Sequence, residues 1–129
     1  FYPHNGVDIG LQGVLNTQQT VQQLADSIGS ALDREVQLIV GDESRVVNNI
    51  AWCSGGAQNA FEQAIELGVD AYISGEVSEH TYHLAKESGV HYLAAGHHAT
   101  ERYGVQALAH HLSNKYSLRT EYVEVNNPV

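Results

Sequence analysis

The segment 96–101, with the sequence GHHATE, carries side chains of the types that bind metal ions. His97 and Glu101 are four residues apart, and His98 and Glu101 are three apart. In a helix, either spacing places an imidazole and a carboxylate on one face, where they can share a metal ion. Spacing alone allows either pair. Because a catalytic zinc ion takes about three protein ligands, a complete site needs further donors.

The helix that this segment begins predicts which way Glu101 faces. Val105, Leu108 and Leu112 follow Glu101 at helical spacing and form an apolar stripe, so Glu101 is expected on the buried face. A buried carboxylate needs a partner, because burying an unpaired charge is costly, and a metal ion or a polar ligand would supply one. The alternative is that Glu101 only complements the helix dipole and that the two histidines are loop residues.

Glu76 and His83 are the other candidate donors. Glu76 lies just beyond a predicted strand, and His83 lies on the next predicted helix, beside its apolar side. Seven of the 8 histidines fall between His80 and His111, and this clustering favours a metal or acid–base role. Imidazole and carboxylate ligands suit zinc, iron and manganese alike, so the residue types do not select the metal.

The turn Cys53-Ser54-Gly55-Gly56 is a second candidate feature. Backbone N–H groups at a strand–turn–helix junction can hold a phosphate, but the sequence matches neither a Walker loop nor the dinucleotide-binding glycine pattern. A tight connection that requires small residues is the slightly favoured interpretation. Cys53 is either a nucleophile activated by the helix N-terminus or, more commonly for a single cysteine ending an apolar strand, a small core residue.

Short strands that alternate with helices position these candidates. Strands are expected over 36–40, 47–52, 70–74, 91–95 and 119–125. Helices are expected from a cap at Thr17 or Thr20 to Leu32, and over 58–67, 79–88 and 99–115. Residues 1–15 predict loops with short extended pieces. The alternation predicts a three-layer α/β fold, in which helices pack on a mixed or mainly parallel sheet. Ligands of such folds bind beyond the carboxyl ends of the strands, where the candidates fall.

The composition argues against several classes of protein. The chain has 129 residues, with 6 Lys and Arg against 15 Asp and Glu, and a formal net charge of −9. Such a chain lacks the basic face that binds nucleic acids and anionic membranes, so neither is an expected partner. No apolar run is long enough to span a membrane, and the N-terminus lacks a signal-peptide pattern. The single cysteine fits a cytoplasmic protein.

Several motifs of residues 46–129, in the same order, resemble the C-terminal part of the YbgI-like or Nif-three-like family of dimetal proteins, the homologues of GTP cyclohydrolase type two. Residues 1–45 match the family less clearly. The motifs are Ile50-Ala51-Trp52-Cys53-Ser54-Gly55-Gly56, Asp70-Ala71-Tyr72-Ile73-Ser74-Gly75-Glu76-Val77-Ser78-Glu79, Ala94-Ala95-Gly96-His97-His98-Ala99-Thr100-Glu101-Arg102 and Asn126-Asn127-Pro128.

The resemblance implies a site with two divalent metal ions, bound by histidines, an aspartate and a glutamate. The family's His-x-x-x-Glu pair maps onto His97 and Glu101, which chooses His97 over His98. Glu76 and His83 would then orient ligands or transfer protons. The remaining ligands are expected in an N-terminal half that is absent from this sequence. The chain contains no methionine and begins at Phe1, as expected for the C-terminal half of a duplicated two-domain fold.

Two functions remain open on the sequence. The first is a metal-dependent hydrolase of a small molecule, because a dimetal centre can supply hydroxide near neutral pH for attack on a purine carbon of GTP. The second is a non-enzymatic metal-binding scaffold, which is motivated by the weak substrate signal and by the lack of a clear general base. Family members resemble toroidal hexamers built as trimers of dimers. A homo-oligomer is therefore the expected assembly in both cases.

Overall fold

A computed structural model describes residues 1–129 of the chain. The strands are β1 (Pro3–His4), β2 (Val7–Asp8), β3 (Leu11–Gln19), β4 (Gln37–Ile39), β5 (Val47–Cys53), β6 (Ala71–Ser74) and β7 (His91–Ala94). The helices are α1 (Val21–Leu32), α2 (Phe61–Glu66), α3 (Glu79–Ser88) and α4 (His97–Tyr116), and a 3₁₀ turn over Gln58–Ala60 leads into α2. None of these helices combines the length and the apolar composition needed to cross a bilayer.

The main sheet is mixed, with the strand order β3-β5-β6-β7-β4. The central strands β5, β6 and β7 run parallel, and the edge strands β3 and β4 run antiparallel to their neighbours. Cys53 pairs with Ser74, and Ser74 pairs with Ala94, so the carboxyl ends of the three central strands lie side by side. The residues that follow these three strands therefore meet at one edge of the sheet.

Two apolar clusters lie on opposite faces of this sheet. One cluster joins Val21 and Leu24 of α1 to strand residues that include Leu93. The other joins residues of α2 and α3 to Tyr72 and Tyr92. Neighbouring residues of a strand alternate between the clusters, because successive side chains point to opposite faces. The chain therefore has the three-layer α/β fold that the sequence predicted.

Thr20 is the N-cap of α1, one of the two caps predicted from the sequence. The Thr20 hydroxyl accepts a hydrogen bond from the backbone N–H of Gln23, and the Gln23 side chain accepts one from the N–H of Thr20. At the other end, Asp33 adopts the left-handed conformation with φ 50°. The next N–H, that of Arg34, donates to the carbonyl of Gly29 at 3.0 Å. This ending turns the chain sharply and brings Arg34 towards the start of α4.

Two buried tyrosines hold the loops at the carboxyl edge. Tyr72 and Tyr92 are paired across β6 and β7, with ring centroids 5.6 Å apart. The Tyr72 hydroxyl donates to the carbonyl of Ala57 at 2.8 Å, and the Tyr92 hydroxyl donates to the carbonyl of Glu76 at 2.5 Å. Burial raises the pKa of both hydroxyls, so both remain donors at neutral pH. The aromatic core thus fixes the backbone on which Glu76 stands.

His91 is a structural histidine, as the sequence suggested. Its side chain is fully buried, and Nδ1 accepts a hydrogen bond from the N–H of Gly41 at 3.2 Å. Because Nδ1 accepts, Nε2 carries the proton and donates to the carbonyl of Arg45 at 3.1 Å. Both ring nitrogens are satisfied within the fold, so His91 is not available as a ligand.

Two predicted elements differ from the structure. Part of the segment predicted as loops forms the edge strand β3, whose exposed side chains give little apolar pattern but whose backbone pairs with β5. The strand predicted over 119–125 is absent, and residues from Ser117 onward have no regular secondary structure. That segment bonds to the start of α4 instead: His98 meets Glu124, and the N–H of His98 donates to the carbonyl of Val129.

Candidate metal site

His97 lies between two carboxylates at the start of α4. Its Nδ1 is 2.6 Å from Oε1 of Glu76, and its Nε2 is 3.1 Å from Oε2 of Glu101. We call these three residues the His97 site. Glu76 follows β6, and the other two occupy the first turns of α4, so the carboxyl edge of the sheet assembles them. The side chains of His97 and Glu76 are 39% and 36% exposed, so the site is open to solvent.

The burial predicted for Glu101 is wrong. Its side chain is 53% exposed, and Val105 and Leu108 on the same helix face are 58% and 56% exposed. Of all residues in α4, only Ala99 is buried. The apolar stripe exists, but no element of this chain covers it. Glu101 is instead partnered by His97, and this contact rather than burial relates it to the site.

The two carboxylates set the charges of the site. The hydrogen bond with Glu76 raises the pKa of His97, and the nearby Glu101 raises it further. The same bond lowers the pKa of Glu76, and a hydrogen bond from Gln58 adds to that effect. Glu76 therefore stays anionic, and it favours the form of His97 that carries a proton on Nδ1. When His97 is neutral, a proton on Nδ1 leaves the lone pair on Nε2, the nitrogen that is then able to bind a metal ion.

Gly55 is packed against the His97 site in a way that admits no side chain. A Cβ at this position would clash with Oε1 of Glu101 and would lie 3.1 Å from Nε2 of His97. Gly55 also has a φ of +67°, which disfavours other residues. Its N–H donates to the Thr100 hydroxyl at 3.0 Å, and its carbonyl accepts from the N–H groups of Ala57 and Gly75. These bonds support the tight-connection interpretation of the Cys53-Ser54-Gly55-Gly56 turn.

Cys53 is 6% exposed and belongs to the apolar core. Burial raises the pKa of its thiol, and the negative charge of Glu101 raises it further. A nucleophilic cysteine needs the opposite shift, because the thiolate is the reactive form. The structure therefore favours the interpretation of Cys53 as a core residue.

His98 and His83 lie apart from the His97 site. His98 bonds through Nε2 to Oε1 of Glu124 at 2.9 Å, so its ring turns to the C-terminal segment. His83 is exposed on α3, where its ring packs edge-on against Tyr82 at 5.5 Å. The structure thus brings Glu76, His97 and Glu101 together and leaves His83 outside that contact network.

Two residues that support the His97 site were not predicted from the sequence. Gln58 donates from Nε2 to Oε2 of Glu76 at 3.1 Å, and Thr100 receives the Gly55 N–H. Each stands close to a motif that was recognised, Gln58 after the glycine turn and Thr100 inside GHHATE. Their polar side chains near strand ends were the available signal. Their roles depend on loop geometry, which the sequence pattern does not show.

The donor chemistry fits a metal ion, although the ligand set in this chain is partial. No group of three or more His, Cys, Asp and Glu side chains has the arrangement of a metal site. His97 and Glu101 offer an imidazole nitrogen and a carboxylate, and Glu76 holds the other ring nitrogen, as carboxylates commonly do behind metal-bound histidines. Because Gly55 has no Cβ, the Glu101 carboxylate and Nε2 of His97 can lie against its backbone.

Comparison with known proteins gives consistent matches. The family model for Duf34/NIF3 (NGG1p interacting factor 3) matches residues 3–128. A curated relative from Allochromatium vinosum, named GTP cyclohydrolase 1 type 2 homolog, is 49% identical over 116 residues, which are 90% of this chain and 45% of the relative. A protein of the same name from Pseudomonas aeruginosa is 45% identical over 126 residues, 98% of this chain and 49% of the relative.

Solved structures share the fold. Protein ybgI, described as of unknown function, is 41% identical with a TM-score of 0.86, and the match covers 94% of this chain and 49% of that chain. A Bacillus cereus protein related to NIF3 is 23% identical with a TM-score of 0.78, over 95% of this chain and 35% of that chain, which shows a shared fold alone. The chain spans about half the length of the curated relatives it matches.

Proposed function

This chain belongs to the Duf34/NIF3 family, and we propose that it forms one wall of a dinuclear metal site in which His97 and Glu101 are ligands. The supporting observation is that Nε2 of His97 lies 3.1 Å from a Glu101 oxygen while Glu76 occupies Nδ1. A histidine held in this way has its free lone pair fixed in direction. Zinc, iron and manganese all suit such nitrogen and oxygen donors, and further ligands have to come from outside these 129 residues.

We further propose that the site performs metal-dependent hydrolysis of a small molecule. When bound, a pair of divalent ions supplies Lewis acidity, which makes hydroxide available near neutral pH. Glu76 orients His97 and, because it is anionic and partly exposed, can also accept a proton from a substrate or from water. His83 is a proposed proton-transfer residue only if another conformation or another copy of the chain brings it closer. GTP-like ring opening, as the relatives' name suggests, is hydrolysis of this type.

Metal analysis, combined with a hydrolysis assay across nucleotides and other polar metabolites, tests this proposal. The protein for these tests is the full chain, meaning a protein of the relatives' length that contains these 129 residues. The wild type is expected to hold about two metal ions per chain and to lose both activity and much of the metal when Glu101 is replaced by alanine. Glu66→Ala is the matched control, because Glu66 is exposed at the C-terminal end of α2, the helix whose N-terminal end follows the carboxyl edge. Stoichiometric metal without turnover on any substrate would remove the hydrolase part and leave the metal site.

The exposed face of α4 favours a second candidate, a metal-binding scaffold that works as an oligomer. Val105 and Leu108 are more than half exposed on a helix that the rest of the chain barely covers. Burying such apolar positions would favour assembly. A hexamer in sedimentation analysis is expected in either case. The scaffold is favoured over the hydrolase if a His97→Ala variant loses metal, keeps the hexamer and retains full cellular function.

A further inference from the structure

Arg34 is a cation without an ion-pair partner at the edge of the sheet that carries the His97 site. Its Nη2 donates to the carbonyl of Pro128 at 2.6 Å, which uses one of the five N–H groups of the guanidinium. Its Nε is buried and has no hydrogen-bond partner. No carboxylate lies within ion-pair distance, although the chain carries 15 acidic residues. The fold closes off Nε, whereas the remaining N–H groups of Nη1 and Nη2 have no partner and can meet an acceptor.

The guanidinium of Arg34 lies directly over Gly96, the residue before His97. A Cβ at Gly96 would be 2.5 Å from Nε, 2.6 Å from Cζ and 2.7 Å from Nη1 of Arg34, so the planar group rests flat on this glycine. Gly96 also has a φ of +91° and is the N-cap of α4. The start of α4 contains no acidic residue in its first turn, and its dipole adds positive potential beside the guanidinium.

A cavity of about 460 Å³ extends from Arg34 to Glu76, the residue of the His97 site that lines it. Gly75, Gly96 and the acidic Glu35 also line this cavity. Arg34 also lines a second cavity of about 480 Å³, together with His98, Arg102 and the acidic residues Asp33, Glu35 and Glu124. A molecule in the first cavity therefore reaches the guanidinium at one end and the carboxyl edge of β6 and β7 at the other.

We propose that Arg34 binds an anionic oxygen group, a phosphate or a carboxylate, of the small molecule whose other end lies at the His97 site. An arginine fork matches the paired oxygens of both groups. The proposal rests on the proposed function for its second half, the placing of the other end of the ligand beside Glu76. The negative charge of the substrate would then lie at Arg34, between α1 and β4, and away from Glu101.

Binding of inorganic phosphate and of acetate to the full chain tests the proposal, by calorimetry on metal-loaded and on chelator-treated protein. Arg34→Gln is expected to weaken binding of at least one of these anions by about tenfold or more in both forms, and Arg34→Lys to weaken it less. Arg119→Gln is the control, because Arg119 is exposed and has no partner within the chain. The more weakened anion identifies the group that Arg34 binds. Melting temperatures of all variants check that the fold is intact.

Metal content measured on the same samples separates this inference from the proposed function. Arg34→Gln is expected to retain the metal of the wild type. The inference is wrong if both anions bind Arg34→Gln and Arg34→Lys within twofold of the wild type, or if the folded wild type binds neither anion at millimolar concentration. If the untreated wild type holds no metal while Arg34→Gln still weakens anion binding, the Arg34 site is supported and the metal site is contradicted.

Discussion

His97 presents each ring nitrogen to a different carboxylate, and the two contacts have different consequences. Glu76 is the closer partner at 2.6 Å and is itself fixed by Gln58 and by the Tyr92 bond to its carbonyl. Glu101 is on the same helix as His97 and approaches Nε2 at 3.1 Å. Glu76 therefore acts as the orienting group, while Glu101 is placed to share a metal ion with His97.

The raised pKa of His97 predicts how metal affinity depends on pH. A metal ion has to displace the proton on Nε2, and the neighbouring carboxylates hold that proton more tightly than in a free histidine. Affinity is expected to fall as the pH drops through this raised pKa, starting above the ordinary value of about 6.5. Competition titrations with a chelator between pH 5 and pH 9, a range that includes the titration of histidine, measure this pH dependence of the metal affinity. A pH-independent affinity would show that His97 is not a ligand.

In the metal-free protein, the contribution of His97 to stability should fall as the pH rises, whereas metal affinity falls as the pH drops. A histidine whose folded pKa is raised stabilises the fold fully below its unfolded pKa, and this contribution is lost as the pH rises through the folded value. Denaturation with and without metal across this range separates the two effects. His97→Gln, which cannot take up a proton, is the reference for both measurements.

Glu76→Gln tests the orienting role of Glu76. The amide keeps the size of the side chain but removes the charge that favours a proton on Nδ1 of His97. Metal affinity is expected to fall by roughly 10-fold to 100-fold, as for other groups behind metal-bound histidines. Glu79→Gln is the matched control, because Glu79 is exposed in the first turn of α3. Equal affinities in the two variants would show that Glu76 does not act through His97.

The loop after β5 reaches the start of α4 because Gly55 has no side chain. Its backbone bonds to Thr100 of α4 and to Gly75 after β6, so a single residue joins all three strand ends. This closeness accounts for the glycine at position 55, whereas a Cβ at position 56 would lie 3.3 Å from Oε1 of Glu76. The constraint belongs to the packing of the loops and not to a phosphate-binding backbone.

Gly55→Ala and Gly68→Ala form a matched pair that tests this packing. Both glycines have a positive φ, +67° and +72°, so each alanine should cost about 1–2 kcal/mol of the free energy of unfolding. Only the Cβ at position 55 meets Glu101 and His97, whereas nothing lies within 4 Å of one at position 68. We expect Gly55→Ala to lose metal affinity and additional stability. Equal loss of metal in both variants would contradict the packing account.

The helices and central strands were predictable because their signals are local. The Thr20 cap and the apolar positions Val21, Leu24 and Ala25 define α1 without reference to the rest of the chain. Strand β3 was not predictable, since its side chains are mostly exposed and pairing with β5 supplies its stabilisation. The segment 119–125 has a strand-like composition, yet its hydrogen bonds go to His98 and to α4 instead of to a sheet edge.

At the scale of the whole molecule, α4 and the ligand set are both incomplete within this chain. The stripe of Val105 and Leu108 is exposed, and two of the expected metal ligands are present. Spacing indicated Glu101 with either His97 or His98, the family resemblance selected His97, and Glu76 was a candidate because it follows a strand. The burial of Glu101 was misjudged, because a helical pattern shows an apolar face without showing what covers it.

The 129 residues alone are therefore expected to bind metal weakly. His97 and Glu101 provide two donors, fewer than the three or so that a stable site takes from a protein. Isothermal titration of Zn²⁺ or Mn²⁺ into this chain and into the full chain makes the comparison. The full chain is expected to bind at least about 100-fold more tightly, because it would supply the ligands that these 129 residues lack. Equal, tight binding by the 129 residues would contradict the account.

Anomalous diffraction from crystals of the metal-loaded full chain tests the central claim most directly. The account predicts a peak within about 2.0–2.2 Å of Nε2 of His97 and of a carboxylate oxygen of Glu101, with Glu76 still bonded to Nδ1. A peak beside His98, or well-occupied metal that touches neither His97 nor Glu101, would contradict it.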